Sequence, residues 1–409
     1  MRFSDGVLLA VGLLLFAGVF AHQVGEILGA RAGCDFDDYY YATKVFRFEG
    51  ASLYDFQAKL ALASAEGRSC NFYQTFYPPY LNLVFLPWVG FRYESVRVFW
   101  LLVNYGLLFA TMPALRRLCQ ESTGARPGWR LTWLLPLWAL ALFSPLVDHN
   151  WQGQANLLIL CPLTWGIRYE MRGSVRRGGL LIAAAALLKL FPFVLLPCYV
   201  VTRRFRTVAW ILAGIVLTTA VTLVFIPLSE FLRFPSLLLG TGYAAGTEWW
   251  WGNLSASNVI AGVLPQAAPS GSRLNLLLRL SPYAAVLGLC AREPEAGPAR
   301  LIRIAQLVTL FGFFLGIWWE HHLVLLVFPF YVAFHEALRA RPVRRLPLWL
   351  AIASGVYIGA IYHPMLREGL SAQWEALEPY KFAAILMLLA ALELLAHPPL
   401  RPVLTSDGA

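Results

Sequence analysis

Charge is scarce in this sequence. Asp, Glu, Lys and Arg make up 14% of its 409 residues and hydrophobic residues 58%, whereas a soluble domain carries about 25% charge. That deficit, with a mean hydropathy of +0.59, excludes an ordinary soluble protein. The period-2 alternation of an outer-membrane barrel is also missing, so the spans are read as helices of roughly 20 apolar residues each. No G-x-G-x-x-G run precedes a helix and no P-loop occurs, which leaves a nucleotide-binding fold unsupported. There is no H-E-x-x-H motif. The six cysteines, Cys34, Cys70, Cys119, Cys161, Cys198 and Cys290, lack metal-ligand spacing. Cys34 and Cys70 flank one polar segment and can pair in an oxidising compartment. No soluble domain, internal repeat or low-complexity tract is visible, so residues 1–409 read as one integral membrane domain. Residues 6–28 are longer than a signal-peptide core and read as a retained first span.

The charge that is present is arranged. The net charge of +10 in a soluble protein would suggest nucleic acid. Here the arginines sit in short loops, the pattern of cytoplasmic loops facing anionic lipid, and no nucleic-acid partner is expected. They cluster at 116–130, 168–177, 203–206, 292–303 and 339–345. The chain must go out and return between clusters, and each midpoint is polar. The first holds Asp148, His149, Asn150, Gln154 and Asn156. The second holds Lys189, before Phe191-Pro192. The third is a larger outside segment, 228–273, with Glu248, Trp249 to Trp251, Asn253 and Ser255. The fourth holds Glu320-His321-His322, and Tyr362-His363-Pro364 opens a last loop. Half-spans such as 157–167 and 179–188 are short, which lets polar turns sink below the membrane surface and line a cavity. Treating 78–91 as a partial or re-entrant segment gives about 12 spans, both termini inside and a long first extracytoplasmic loop, 29–76.

That first loop carries Asp35, Asp37 and Asp38, then Tyr39 to Tyr41. Carboxylates beside a membrane face water, a partner or a substrate. One carboxylate, one lysine and a histidine pair in an outward cavity suit a lipid-phosphate-linked sugar. Lys189 supplies a point charge for the phosphate, with His321 or His322 adding a hydrogen bond or second charge. Gln154, Asn156, His149, Asn253, Glu320 and Tyr39 suit sugar or acceptor hydroxyls, and the tryptophans suit a sugar face. Asp35 deprotonates the attacking hydroxyl. Because the leaving group is already a phosphate, one carboxylate suffices for direct inversion, unlike hydrolases that use two. Plainer readings stand beside these: Lys189 snorkelling, interfacial histidines, an aromatic belt at 249–251, and Asp37 and Asp38 as solvated loop acids.

The order of these pieces resembles glycosyltransferase family 87, polyprenyl-phosphate-sugar-dependent transferases of the GT-C fold. The similarity runs through Asp35-Phe36, Tyr39-Tyr40, Leu53-Tyr54-Asp55 and Tyr77-Pro78-Pro79. It continues through Gly153-Gln154-Ala155-Asn156, Lys189-Leu190-Phe191-Pro192, Gly252-Asn253-Leu254-Ser255 and Trp319-Glu320-His321-His322. The resemblance implies an all-α polytopic GT-C transferase of the cytoplasmic membrane with its site facing the periplasm or exterior. Asp35 stands at the family's general-base position, one of His321 and His322 at its histidine, and Lys189 with Gln154 and Asn156 at the donor site. It further implies a polyprenyl-phosphate sugar donor, mannose foremost, a lipid or cell-envelope glycan acceptor, and no metal or cofactor. Pentose transfer is the neighbouring reading. A lipid-linked-sugar flippase is the one from another class, though it should show polar groups on both faces and often a repeat.

Overall fold

The computed structural model describes residues 3–29, 33–68, 77–240, 254–269, 271–292, 297–314, 319–340, 344–360 and 381–397. Cys70, Trp249 to Trp251, Asn253 and Tyr362-His363-Pro364 lie outside the described residues. Within them the structure is helical, with no strand. The N-terminal half contains α1 (Phe3–Leu28), α2 (Asp35–Glu49), α3 (Phe56–Ala65), α4 (Pro79–Phe85) and α5 (Tyr93–Thr123), then a π-helical turn, Arg130–Leu134, leading into α6 (Leu135–Leu142). It continues with α7 (Ser144–Gln152), α8 (Asn156–Met171) and α9 (Val175–Leu188). After a 3₁₀ turn, Phe191–Val194, come α10 (Leu195–Val201), α11 (Phe205–Leu223), α12 (Leu228–Gly240), α13 (Ala256–Val263), α14 (Arg273–Cys290), α15 (Pro298–Thr309) and α16 (Phe311–Phe314). A second 3₁₀ stretch, Glu320–Leu326, runs into α17 (Val327–Arg339), followed by α18 (Arg345–Ala360) and α19 (Lys381–Ala396).

Four described segments are long and apolar enough to cross a membrane: Asp5–Leu28, Tyr93–Thr123, Phe205–Leu223 and Glu320–Arg339. Counting the pair Arg130–Leu140 and Ser144–Gln152, bent by 57°, gives up to five. The bend falls where Phe143 is extended (φ −89°, ψ 96°) and Pro145 occupies the first turn of α7; proline cannot continue the preceding helix and pre-sets the next. α4 has seven residues, about 10 Å of helix, too short to cross. Burial sorts the spans. Only 17% of the α1 window is buried and 22% of α11, against 83% of Glu320–Arg339. The first two present leucine and valine outward, Leu14, Val216 and Leu217 among them, as lipid-facing helices do; the last is central.

The core follows from small residues in α8 and α9. A Cβ on Gly178 would stand 2.8 Å from the backbone nitrogen of Glu170 and 2.9 Å from the carbonyl of Gly166. Without one, the two backbones approach closely, the contact by which helices associate in lipid. α9 packs in turn against α11, and α8 against α5.

The arginine clusters are tied together at one end of these helices. Arg168 pairs with Glu121 at 2.6 Å. Glu170, fully buried, receives Arg204 at 2.7 Å and Arg300 at 2.6 Å. Arg303 pairs with Glu393, Arg344 Nη1 donates to the carbonyl of His397 at 2.8 Å, and Arg130 reaches Asp5 of α1 at 2.5 Å. All five clusters thus contribute or adjoin one belt of helix ends, since Thr123 also meets His335 at 3.1 Å, one turn before Arg339.

Candidate active site

At the other end of α8 and α9 the chain builds a polar cluster, and it starts from a turn. α7 stops at Gly153, whose φ of 74° and ψ of 33° are left-handed. The chain then lies flat against Arg97 of α5, whose Nη2 donates to the carbonyls of Asn150 at 2.9 Å and Trp151 at 2.6 Å. These are end carbonyls of α7, and a cation satisfies both their hydrogen bonds and the helix dipole. Trp100 Nε1 donates to the carbonyl of Gly153 at 2.8 Å. The next helix is capped by His149, whose Nε2 accepts from the backbone N–H of Asn156 at 3.0 Å. Its Nδ1 faces Asn150 Oδ1 at 3.2 Å.

This turn delivers Gln154 to Asp35. Gln154 Nε2 donates to Asp35 Oδ2 at 2.6 Å. Its Oε1 accepts from the Tyr39 hydroxyl at 2.8 Å and from Lys189 Nζ at 3.0 Å. Asp35 and Tyr39 are four residues apart on α2, hence on one face, and so grip both ends of one amide. Lys189 ends α9, with Nζ 3.0 Å from Asn156 Oδ1 and 3.1 Å from His322 Nε2, above the Tyr77 ring at 5.1 Å. Asn156 Nδ2 donates to the carbonyl of His321 at 3.0 Å, and His322 Nδ1 accepts from the Trp319 backbone N–H at 3.0 Å. His321 Nδ1 stands 3.4 Å from Asp148 Oδ2 and 4.0 Å from Asp35 Oδ2. His321 Nε2 is buried and has no partner among the described residues. Lys189, Gln154, Asn156 and both histidines are buried, while the Asp35 side chain is 31% exposed, the accessible member of the set.

Partial desolvation by the surrounding side chains lifts the Asp35 carboxyl above the ordinary aspartate range. His321 and the Gln154 hydrogen bond oppose the rise, and Asp148 adds to it. The other two acids are not the solvated loop carboxylates expected from sequence. Asp37 is fully buried against Arg68 at 3.2 Å and the Tyr93 hydroxyl, and Asp38 pairs with Lys59. Both brace α2, which leaves Asp35 as the acid aimed into the cluster. Cys34, its neighbour, is disulfide-bonded. Cys119, Cys161, Cys198 and Cys290 are buried thiols outside any disulfide.

Asp35, Tyr39, Gln154, Asn156, Lys189, His321 and His322 therefore come together. His149 joins them only as scaffold, because both its ring nitrogens are committed to the chain. Glu320 is turned away into a separate pair, 2.9 Å from Lys381 Nζ and bonded to the Ser144 hydroxyl. The sequence reading missed Arg97, Tyr77 as a floor for Lys189, and Lys381, and it placed Asp148 in the polar turn without a role beside His321. A lone arginine inside the apolar run of α5 was the available signal for Arg97.

Residues 75–354 match the model of glycosyltransferase family 87. The chain belongs to glycosyltransferase family 87. The matched range covers the Gln154 turn, Lys189 and the histidines; Asp35 lies before it. Among curated proteins the chain is similar to a polyprenol-phosphate-mannose-dependent alpha-(1-2)-phosphatidylinositol pentamannoside mannosyltransferase of Mycobacterium tuberculosis (strain CDC 1551 / Oshkosh). The two are 26% identical over 275 residues, 67% of this chain and 61% of that one, so the similarity spans under two thirds of the relative. No solved structure matches the chain.

Proposed function

We propose that this protein is an inverting glycosyltransferase. It moves a sugar, mannose foremost, from a polyprenyl phosphate to a lipid or cell-envelope glycan acceptor at the outer face of the cytoplasmic membrane. The observation that carries the reading is the Gln154 amide. It joins Asp35, the most exposed carboxylate of the cluster among the described residues, to Lys189, setting a proton acceptor beside an anion site. Mannose is favoured by the mycobacterial relative's donor.

In the proposed reaction the lipid phosphate lies on Lys189, and His321 Nε2 meets the sugar. Asp35 takes the proton of the acceptor hydroxyl as its oxygen attacks the anomeric carbon from the face opposite the phosphate. The C–O bond to phosphate breaks, and its electron pair leaves with the lipid phosphate. Charge grows on the leaving phosphate in a water-poor pocket, where a fixed cation acts most strongly.

Two features support an outward site below the membrane surface, within a GT-C arrangement of about 12 transmembrane helices. α8 and α9, with 16 and 14 residues, measure about 24 and 21 Å from the arginine belt to the site, less than the roughly 30 Å of hydrocarbon. The disulfide at Cys34 suits an oxidising compartment.

A base must be ionised to act, so transfer falls as pH drops through the Asp35 pKa. Since that pKa is raised, the acid limb of kcat/KM lies above the ordinary aspartate value of about 3.9. A limb at or below that value contradicts the assignment. The function itself is tested by incubating the purified chain with polyprenyl-phosphate mannose, polyprenyl-phosphate arabinose and an extract of envelope lipids. Mannosylated lipid is the expected product. Arabinosylated lipid alone shifts the sugar, and no transfer from either donor refutes the proposal.

A further inference from the structure

Among the described residues Lys189 Nζ has three polar neighbours, and the chain fixes the hydrogen-bonding sense of each. Gln154 turns its Nε2 to the Asp35 carboxylate, so Oε1 faces the lysine. Asn156 turns its Nδ2 to the carbonyl of His321, so Oδ1 faces the lysine. Both amides accept. The third neighbour is His322. A backbone N–H can only donate, and that of Trp319 donates to His322 Nδ1 at 3.0 Å. An imidazole accepting at Nδ1 carries its proton on Nε2, and this Nε2 stands 3.1 Å from Lys189 Nζ.

An ammonium has three N–H donors and no lone pair. With two donors given to the amides, the third would meet His322 Nε2–H donor to donor. A neutral amine has two N–H groups and one lone pair, which matches two acceptors and one donor. The other groups around it leave this count unchanged. Tyr39 of α2 spends its hydroxyl on Gln154. His149 of α7 accepts at Nε2 from Asn156. The Tyr77 and Phe191 ring faces stand 5.1 and 5.5 Å from Nζ and are weaker N–H acceptors than the two amide oxygens. Asp35 favours a charged lysine, but its Oδ2 is bonded to Gln154. His321 directs Nδ1 to Asp148 and Asp35.

We propose that Lys189 rests as a neutral amine and takes up one proton when an anionic phosphate enters, so that lipid-phosphate binding is proton-coupled. The proton comes from solvent and adds to the lone pair of Nζ. The new ammonium breaks from His322 Nε2–H and gives its third N–H to a phosphate oxygen. The imidazole N–H is freed to donate to the same anion. An empty site then holds no uncompensated buried ammonium, which would be costly. The inference rests on reading the site as one for a lipid phosphate.

The chain has four lysines, Lys44, Lys59, Lys189 and Lys381, so isotopic labelling of the lysine side chains in the full chain, in detergent, gives a sparse NMR spectrum. Lys189→Arg identifies the Lys189 signal. At pH 8 without ligand that signal should have the shift of a neutral amine, and a polyprenyl monophosphate should move it to that of an ammonium. Calorimetry in two buffers of different ionisation enthalpy should read about one proton taken up, with Kd rising about tenfold per pH unit in the alkaline range. An ammonium signal in the empty protein overturns the proposal, whatever the ligand does. Binding that leaves the amine neutral also overturns it. A neutral signal with no binding of polyprenyl phosphate keeps the resting amine but overturns the lipid-phosphate reading, and the coupled uptake with it.

Discussion

Asp35→Asn lowers transfer by about 10²–10⁴-fold, the range for loss of a positioned general base, while polyprenyl-phosphate binding stays within a few-fold of the natural protein. The asymmetry follows from the contacts. Asparagine keeps an oxygen for Gln154 Nε2, whose 2.6 Å bond holds Oε1 toward Tyr39 and Lys189, so the phosphate side of the cluster survives. What is lost is the second carboxylate oxygen and its basicity. Neither neighbouring acid can substitute, since Asp37 is held by Arg68 and Tyr93 and Asp38 by Lys59. Initial rates at saturating donor, beside equilibrium binding of a polyprenyl monophosphate, check both halves. An Asn variant that retains full activity removes Asp35 from the chemistry.

Gly153→Ala should cost about 2–5 kcal/mol of stability. Left-handed backbone costs a non-glycine residue about 1–2 kcal/mol, and forcing atoms into a packed core adds about 1–3. Both apply here. φ is 74°, and a Cβ would stand 2.5 Å from Arg97 Cζ and 2.6 Å from Phe36 Cβ. Relief requires moving Arg97 off the end of α7 or α2 off the turn, and either one drags Gln154 from Asp35. Gly50 is the control. Its φ is 69°, and a Cβ there would meet nothing within 4 Å, so Gly50→Ala should show the backbone cost alone. Thermal unfolding in detergent separates them: the midpoint should fall clearly further for Gly153→Ala. Equal shifts would show that the turn does not depend on the close approach.

Much of this arrangement was legible in the sequence because membrane topology sorts polar residues by face. Arginines spaced between apolar runs marked one end, and the stretches around Asp35, Gln154, Lys189 and His321 marked the other. The belt of pairs through Glu170 and the network through Gln154 are those two ends in three dimensions. What the sequence could not rank was which polar residue faces inward. His149 and His321 look alike in a polar turn, yet one caps α8 and the other keeps a bare nitrogen. Glu320 looks suited to sugar or acceptor hydroxyls, yet Lys381, 61 positions later, draws it away. Asp37 and Asp38 looked solvated because their partners, Arg68, Tyr93 and Lys59, come from other helices and loops. Pairings of that kind depend on tertiary packing, and one chain read alone carries no trace of them.

The most direct test is a density map of the full chain bound to a polyprenyl monophosphate. The account predicts phosphate density within hydrogen-bonding reach of Lys189 Nζ, on the side of the cluster opened toward Asp35, with the lipid tail leaving between helices. Phosphate density at the arginine belt around Glu170, with the Lys189 cluster empty, would contradict it.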